Sequence, residues 1–456
     1  MFGFRRRQQR RRDEPLGRDP RRSQQDFALT SLPGLRAGPE HHADSGVEYF
    51  YEPGTVLVRE EFLVQAEAIM VREGRREPGQ RDRREPPRDR PDSLRACIVE
   101  PGGRREGEPP GIAVVAGTRL LPFGLKQDDE HDTLGVARQL RRELGHGAVS
   151  LNHLVHITGD AGVCPADEPE PVAECTALWP APAKDRFAGT GVKIVVVDTG
   201  LDHDTVVRHP FMAGVEGECD RQVTPGRRPQ LLRYAGHGTF IAGLIRTVAP
   251  GAEVMVRHFL SFAGKQLESE LAPMLSCSLD EDDPDIISMS AGTQTWDGSG
   301  LLSLAAFNER QLRHHKGVVL VAAAGNDSSR TPFWPAAAPF AISAGSLNRT
   351  LDDRADFTNF GGWVDCYTHG QDVVGIFPKG SYQYGEGRWE HANPPRVVDF
   401  TGLARWSGTS FSTPIVAALI AARMSHTGEN GQTAAAALLR TAQAAARPGV
   451  GAILLP

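Results

Sequence analysis

Three short patterns in the chain bring together the residue types that acyl transfer needs. Asp198 ends an apolar run, Val195-Val196-Val197, and is followed by Thr199-Gly200. A carboxylate directly after a buried strand lies partly dry at the edge of a sheet, where it can hold an imidazole in one tautomer and stabilise its protonated form. His237 sits in Gly236-His237-Gly238-Thr239, where small residues leave room on either side of the ring just as an apolar helical pattern begins. An ordinary pKa of ~6.5 suits it to take and return a proton near neutrality. Ser410 lies in Ser407-Gly408-Thr409-Ser410-Phe411-Ser412-Thr413-Pro414, again at a helix start. The unpaired N–H groups of a first helical turn favour negative charge developing beside them, and Pro414 is harmless in that turn. Taken singly, each pattern has a plainer explanation: a turn, a structural histidine and an N-capping serine. Together they place Asp, His and Ser in one chain order, 237 − 198 = 39 and 410 − 237 = 173 residues apart, and that order is one in which this triad recurs.

The elements that must hold these residues are short apolar strands alternating with small-residue helices. VKIVVVD (192–198), AEVMVRHFL (252–260), DIISMSAG (285–292), GVVLVAAAGN (317–326) and FAISAGS (340–346) read as strands buried on both faces. That alternation implies an α/β fold with a doubly wound, mostly parallel sheet and helices on both faces. Chemistry in such sheets gathers beyond the carboxyl ends of the strands.

The motifs VVVDTGLD, GHGTFIAGLI, VAPGAEVMV, VAAAGNDSS and SGTSFSTPIVAALIAA closely resemble those of subtilisin-like serine peptidases, the subtilase family, over about residues 190–424. The resemblance implies that Ser410 is the nucleophile, His237 the general base and then acid, and Asp198 the residue that orients it. It also implies that Asn326 donates to the oxyanion together with the Ser410 N–H. By the same resemblance Ser288, Met289, Ser290, Ala291 and Gly292 form the strand that pairs with an extended substrate, and Trp334-Pro335-Ala336 the far wall of the primary specificity pocket. One departure is Phe240, where the family usually has a second, non-catalytic histidine; altered packing with retained chemistry is expected. A stretch at 379–406 reads as an insertion, either a lid or a surface hairpin. The resemblance implies no organic cofactor. Calcium often stabilises family members, but no ligands for it map onto this sequence, and acidic DEDDPD (280–285) reads as a solvated loop, so no metal site is assigned.

Ahead of this unit, residues 47–160 carry strand-like runs at 55–64, 95–100 and 111–117 and a helical pattern at 132–144, which suggests a small α+β domain. Its order of elements, ending in GAVSLNHLVHITGD (147–160), resembles the subtilase propeptide, which assists folding and fills the cleft until it is cut within roughly 157–185. A permanently attached regulatory domain is the alternative. Within the domain, 72–95 holds nine Arg, six acids and four Pro and reads as a disordered insertion. Residues 1–46 read as a basic, disordered tail, with ten Arg against four acids in 1–36, and 161–188 as a linker to the peptidase-like unit at 189–456. The tail is taken as solvated, with no nucleic-acid partner.

The whole chain of 456 residues has 51 Lys and Arg against 57 Asp and Glu, a net charge of −6, and 40% hydrophobic residues, the composition of a globular protein with a large core. Its longest apolar stretches fall short of the ~18 residues that cross a bilayer, and the start lacks the apolar run of a secretory signal. Six scattered cysteines form no metal pattern, although a Cys164–Cys175 bridge remains open. A cytoplasmic serine endopeptidase acting on protein or peptide is therefore expected, with no membrane partner and an oligomeric state the sequence leaves unknown. Its rivals are a peptide ligase or cyclase using the same nucleophile, and a catalytically silent binding module that uses the basic arm.

Overall fold

The computed structural model describes residues 36–37, 49–75, 118–122, 132–157, 166–260, 264–385 and 394–456. A seven-stranded, wholly parallel sheet forms the centre of the larger unit. Its strands are β6 (Lys193–Asp198), β7 (Val215–Gly217), β9 (Glu253–His258), β11 (Ile286–Met289), β12 (Val319–Ala323), β13 (Ala341–Leu347) and β14 (Cys366–His369), in the order β14-β13-β12-β11-β6-β9-β7. Continuous apolar runs such as Ile194–Val197 and Val319–Ala323 form strands here because helices cover both faces. The strand order reverses direction beside β6, and Asp198 is the last residue of that strand.

Two helices packed on the sheet carry the other candidate residues at their first turns. His237–Val248 packs on β6 and β9, and Thr409–Thr427 lies across β11 to β14, with the two helices against each other. Gly236 enters the first helix at φ +76, and a Cβ there would lie 2.4 Å from the Pro378 ring, so only glycine makes this turn. Phe240, Trp406 and Phe411 interlock between the helices, with ring centroids 4.8 to 5.8 Å apart and each ring less than 2% exposed. Burying each contributes on the order of 2–3 kcal/mol. Phe240 thus fills an aromatic core where a histidine would bring an unpaired ring nitrogen.

The smaller unit is an antiparallel sheet of β2 (Phe50–Arg59), β3 (Thr118–Pro122) and β4 (Val149–His156), covered by helices Leu63–Arg72 and Asp132–Leu144. The helical pattern expected at 132–144 is a helix over those residues. The strand-like run at 55–64 is not one element: it ends at Arg59, a 3-10 turn takes Glu60–Phe62, and the helix follows. Leu63, Ala66, Ile69 and Met70 fall on one helical stripe while Val64 is exposed, and that stripe packs on the sheet. β1 (Arg36–Ala37) pairs with β2, so at least these two residues of the expected disordered tail are part of the sheet. Otherwise the expected disordered tail, the insertion beyond Arg75 and the runs at 95–100 and 111–117 lie outside the described residues. Residues 72–75 finish the helix and its turn.

The expected linker is also structured from Ala166 onward. β5 (Glu170–Pro171) joins β15 (Val373–Ile376) and β18 (Leu403–Trp406) in a second small sheet, and Trp179 exchanges main-chain bonds with Val374. This strap is held by backbone pairing, which leaves little trace in composition. Of the insertion-like stretch, β16 (Gly380–Gln383) and β17 (Val397–Phe400) form a hairpin, and β16 also pairs with β8 (Gln230–Leu231). One further strand, β10 (Lys265–Leu267), belongs in sequence to the large unit but pairs antiparallel with β4 of the small one.

Candidate active site

Asp198 and His237 meet at the carboxyl edge of the sheet. Both carboxylate oxygens face His237 Nδ1, at 2.8 and 2.9 Å, and both side chains are fully buried. The Thr199 N–H donates to Asp198 Oδ1 at 2.8 Å and its hydroxyl at 3.2 Å, so the oxygen nearer the ring is also fixed by the following residue. With Nδ1–H donating to Asp198, Nε2 carries the lone pair, and it has no hydrogen-bond partner among the described residues. The ring is packed by Trp406 at 5.4 Å and Phe411 at 5.6 Å between centroids.

Ser410 stands in the first turn of the Thr409 helix, where main-chain N–H groups lack intrahelical acceptors. Its hydroxyl donates to the Ser290 carbonyl at 3.4 Å, and the Ser290 hydroxyl donates back to the Ser410 carbonyl at 2.8 Å. Asn326 is oriented from the same turn: its Oδ1 accepts from Thr409 N at 2.9 Å and Thr409 Oγ1 at 3.0 Å. That engagement of the carbonyl end turns the amide end away from Thr409. Of the five residues expected to pair with substrate, Ser288 and Met289 lie within β11, with β6 on one side and β12 on the other. Ser290, Ala291 and Gly292 extend past the sheet and keep main-chain groups to offer.

Those of Gly292 are in use. Gly292 and His156 of the small unit exchange two main-chain hydrogen bonds, each 3.0 Å, and Ile157 N donates to Gly264 O at 3.1 Å. Residues 154–157 therefore lie between 264–267 on one side and Gly292 on the other. The seam behind them is polar and fully buried. His153 Nδ1 donates to Glu268 Oε1 at 2.9 Å, its Nε2 accepts from Trp296 N at 3.3 Å, and Glu268 Oε2 accepts from Ser303 N at 3.1 Å and Ser303 Oγ at 2.9 Å. Both Glu268 oxygens are thus bonded out of water.

Several positioning residues escaped the sequence reading. Asn359 donates to Ala324 O at 2.9 Å and accepts from Asp327 N at 2.9 Å and Ser329 N at 3.0 Å, fixing the loop that carries Asn326. Asp220 accepts from Gly236 N at 2.7 Å and Gln222 N at 2.8 Å, pinning the turn before His237. Burial pushes its carboxyl up to about 7. Asp167 of the strap accepts from Ser407 N at 3.0 Å, three residues before Ser410, and burial also pushes it up to about 7. None has a local sequence signal, because each acts across a long loop.

Among the described residues no group of three or more His, Cys, Asp or Glu is arranged to hold a metal. Asp282 and Glu281 of the acidic run bind Arg257 instead, and Asp285 accepts from Lys193 N. Cys175, Cys219 and Cys366 form no disulfide, and Cys164 lies outside the described residues. No helix among the described residues is long and apolar enough to cross a membrane.

Fold and site together define a doubly wound α/β protein with the constellation of a serine peptidase. Residues 189–453 match the subtilase family over more than half of the chain, and the chain belongs to that family. It is 30% identical over 271 residues to thermitase of Thermoactinomyces vulgaris, covering 57% of this chain and 84% of that protein. It is 28% identical over 255 residues to a thermophilic serine proteinase of Bacillus sp. (strain AK1), covering 53% of this chain and 54% of that one. The chain spans about half the length of most of the curated relatives it matches, 56% for subtilisin E of Bacillus subtilis (strain 168). A solved cold-adapted subtilisin-like serine proteinase aligns at 20% identity and a TM-score of 0.43, covering 64% of this chain and 96% of that one.

Proposed function

We propose that the protein is a serine endopeptidase whose cleft is closed, before processing, by its own N-terminal unit. The observation that carries the catalytic reading is the seat of His237 Nδ1 on buried Asp198, because it fixes the tautomer in which Nε2 is the base. Ser410 Oγ attacks the peptide carbonyl while its proton passes to His237 Nε2, after a rotamer change that takes the hydroxyl from Ser290 O. The oxyanion is held by the Asn326 amide and the Ser410 N–H. His237 then protonates the departing amine, and water, deprotonated by the same ring, releases the acyl group from Ser410. Protein or peptide chains are the substrates, bound in extended form along Ser290–Gly292.

The N-terminal unit is read as a propeptide because its last strand pairs with Gly292 of that binding segment. His156 pairs with Gly292 as a substrate would. Cutting the chain between Ile157 and Asp185 would free the cleft. Intact-mass analysis after treatment with a serine-directed fluorophosphonate tests the nucleophile: one adduct is expected on the wild type and none on Ser410→Ala. A folded wild type that takes no adduct in either its intact or its cut form would refute the reading.

A further inference from the structure

The geometry points to Phe333 as the residue that sets specificity, closing the primary pocket so that only small side chains, Gly, Ala, Ser or Thr, are accepted immediately before the scissile bond. This rests on the peptidase reading above and goes beyond it by naming the substrate class. The chain already lying in the cleft supplies the register. His156 sits opposite Gly292 in antiparallel pairing, so a residue two positions further along a bound peptide sits opposite Ser290. Ser290 O accepts from Ser410 Oγ, which makes the residue opposite Ser290 the one whose carbonyl meets the nucleophile.

Side chains two apart on an extended strand share a face. The His156 ring meets the Phe333 ring edge-on, with centroids 6.3 Å apart, so the face of the peptide that bears the residue to be cut is turned toward Phe333. There the slot between the substrate-pairing segment and the loop before Asn326 is already filled. A Cβ on Gly292 would lie 2.3 Å from one Phe333 ring carbon, and a Cβ on Gly325 would lie 3.0 Å from another. One ring thus spans the gap between the two backbones, and it is 3% exposed. Its position is fixed by the next residue, since Thr293 and Trp334 exchange two main-chain bonds of 2.8 Å each. Glycines at 292 and 325 make room for this ring, and little room remains for a large substrate side chain. The chain's own sequence beyond Ile157 reads Thr158-Gly159-Asp160-Ala161-Gly162, rich in the residues such a pocket would accept.

The test is to incubate the purified full-length chain with a denatured protein mixture and read the new termini by mass spectrometry, for the wild type and for Phe333→Ala. The wild type should cut after Gly, Ala, Ser or Thr at least about 100-fold more often than after Phe, Tyr or Leu, the range over which pockets discriminate by size. Phe333→Ala should raise cutting after large residues at least about tenfold. The wild-type profile alone decides the matter if the variant does not fold. A protein labelled on Ser410 that cuts after Phe or Leu as readily as after Ala overturns the pocket assignment alone. A protein that takes no label on Ser410 overturns the peptidase reading and this proposal with it.

Discussion

At the scale of single residues, the site is organised by groups that touch no substrate. Asp198, His237, Ser410 and Asn326 stand out in the sequence because their neighbours are small and each ends a strand or opens a helix. What orients them does not stand out: Thr409 grips the Asn326 carbonyl, and Asn359 ties the loop behind it. If Asn326 donates to the oxyanion, Asn326→Ala should lower kcat by about 10²–10³-fold with little change in KM, an effect taken from subtilisin of the same family. Steady-state kinetics on a peptide ester checks this. Asp220 offers a pH test. Its carboxyl is raised to about 7 by burial, foremost, against the opposing bonds from Gly236 and Gln222. An acid whose folded pKa lies above its unfolded value of ~3.9 holds a proton that the unfolded chain has lost. Stability from this group is therefore full below about pH 4 and is lost as pH rises toward about 7. Asp220→Asn should flatten the fall in melting temperature between about pH 5 and about pH 8, and an unchanged slope would remove Asp220 as its source.

At the scale of elements, legibility followed burial. The parallel strands were readable because both faces are covered, so a strand becomes an unbroken apolar run such as Val195–Val197 or Val319–Val321. The helix at 132–144 was readable from its own stripe. Where an apolar run carries through a change of element, as at 55–72, only packing set the boundary between strand and helix. The strap at 166–188 was not readable at all, because it is held by main-chain bonds to β15 and β18, and any sequence can supply those. For the same reason the pairing of β4 with β10 and Gly292 could not be seen from either segment alone. The resemblance to a propeptide suggested the small unit near the cleft, but nothing local specified the register that sets His156 opposite Gly292.

At the scale of the whole molecule, two units share one polar seam. Glu268 collects bonds from His153 and Ser303 with no exposure, and at the rim Arg59 pairs with Glu309 and Arg141 with Asp297, its guanidinium 5.2 Å from the Trp296 ring centre. Rim pairs contribute little each, whereas charged bonds in the dry seam contribute about 1.5–3 kcal/mol. Glu268→Ala should therefore loosen the small unit and speed fluorophosphonate labelling of Ser410 in the uncut chain by about 10–100-fold. Equal labelling rates would mean that the seam does not hold the cleft shut.

Ser410 is proposed to cut the chain that the N-terminal unit brings to Gly292. The most direct measurement is the intact mass of freshly purified wild type and Ser410→Ala, followed over time under identical conditions. The wild type should split between Ile157 and Asp185 while Ser410→Ala stays whole. A wild type that is folded, reacts with fluorophosphonate and never splits, or a Ser410→Ala chain that splits as fast, would contradict it.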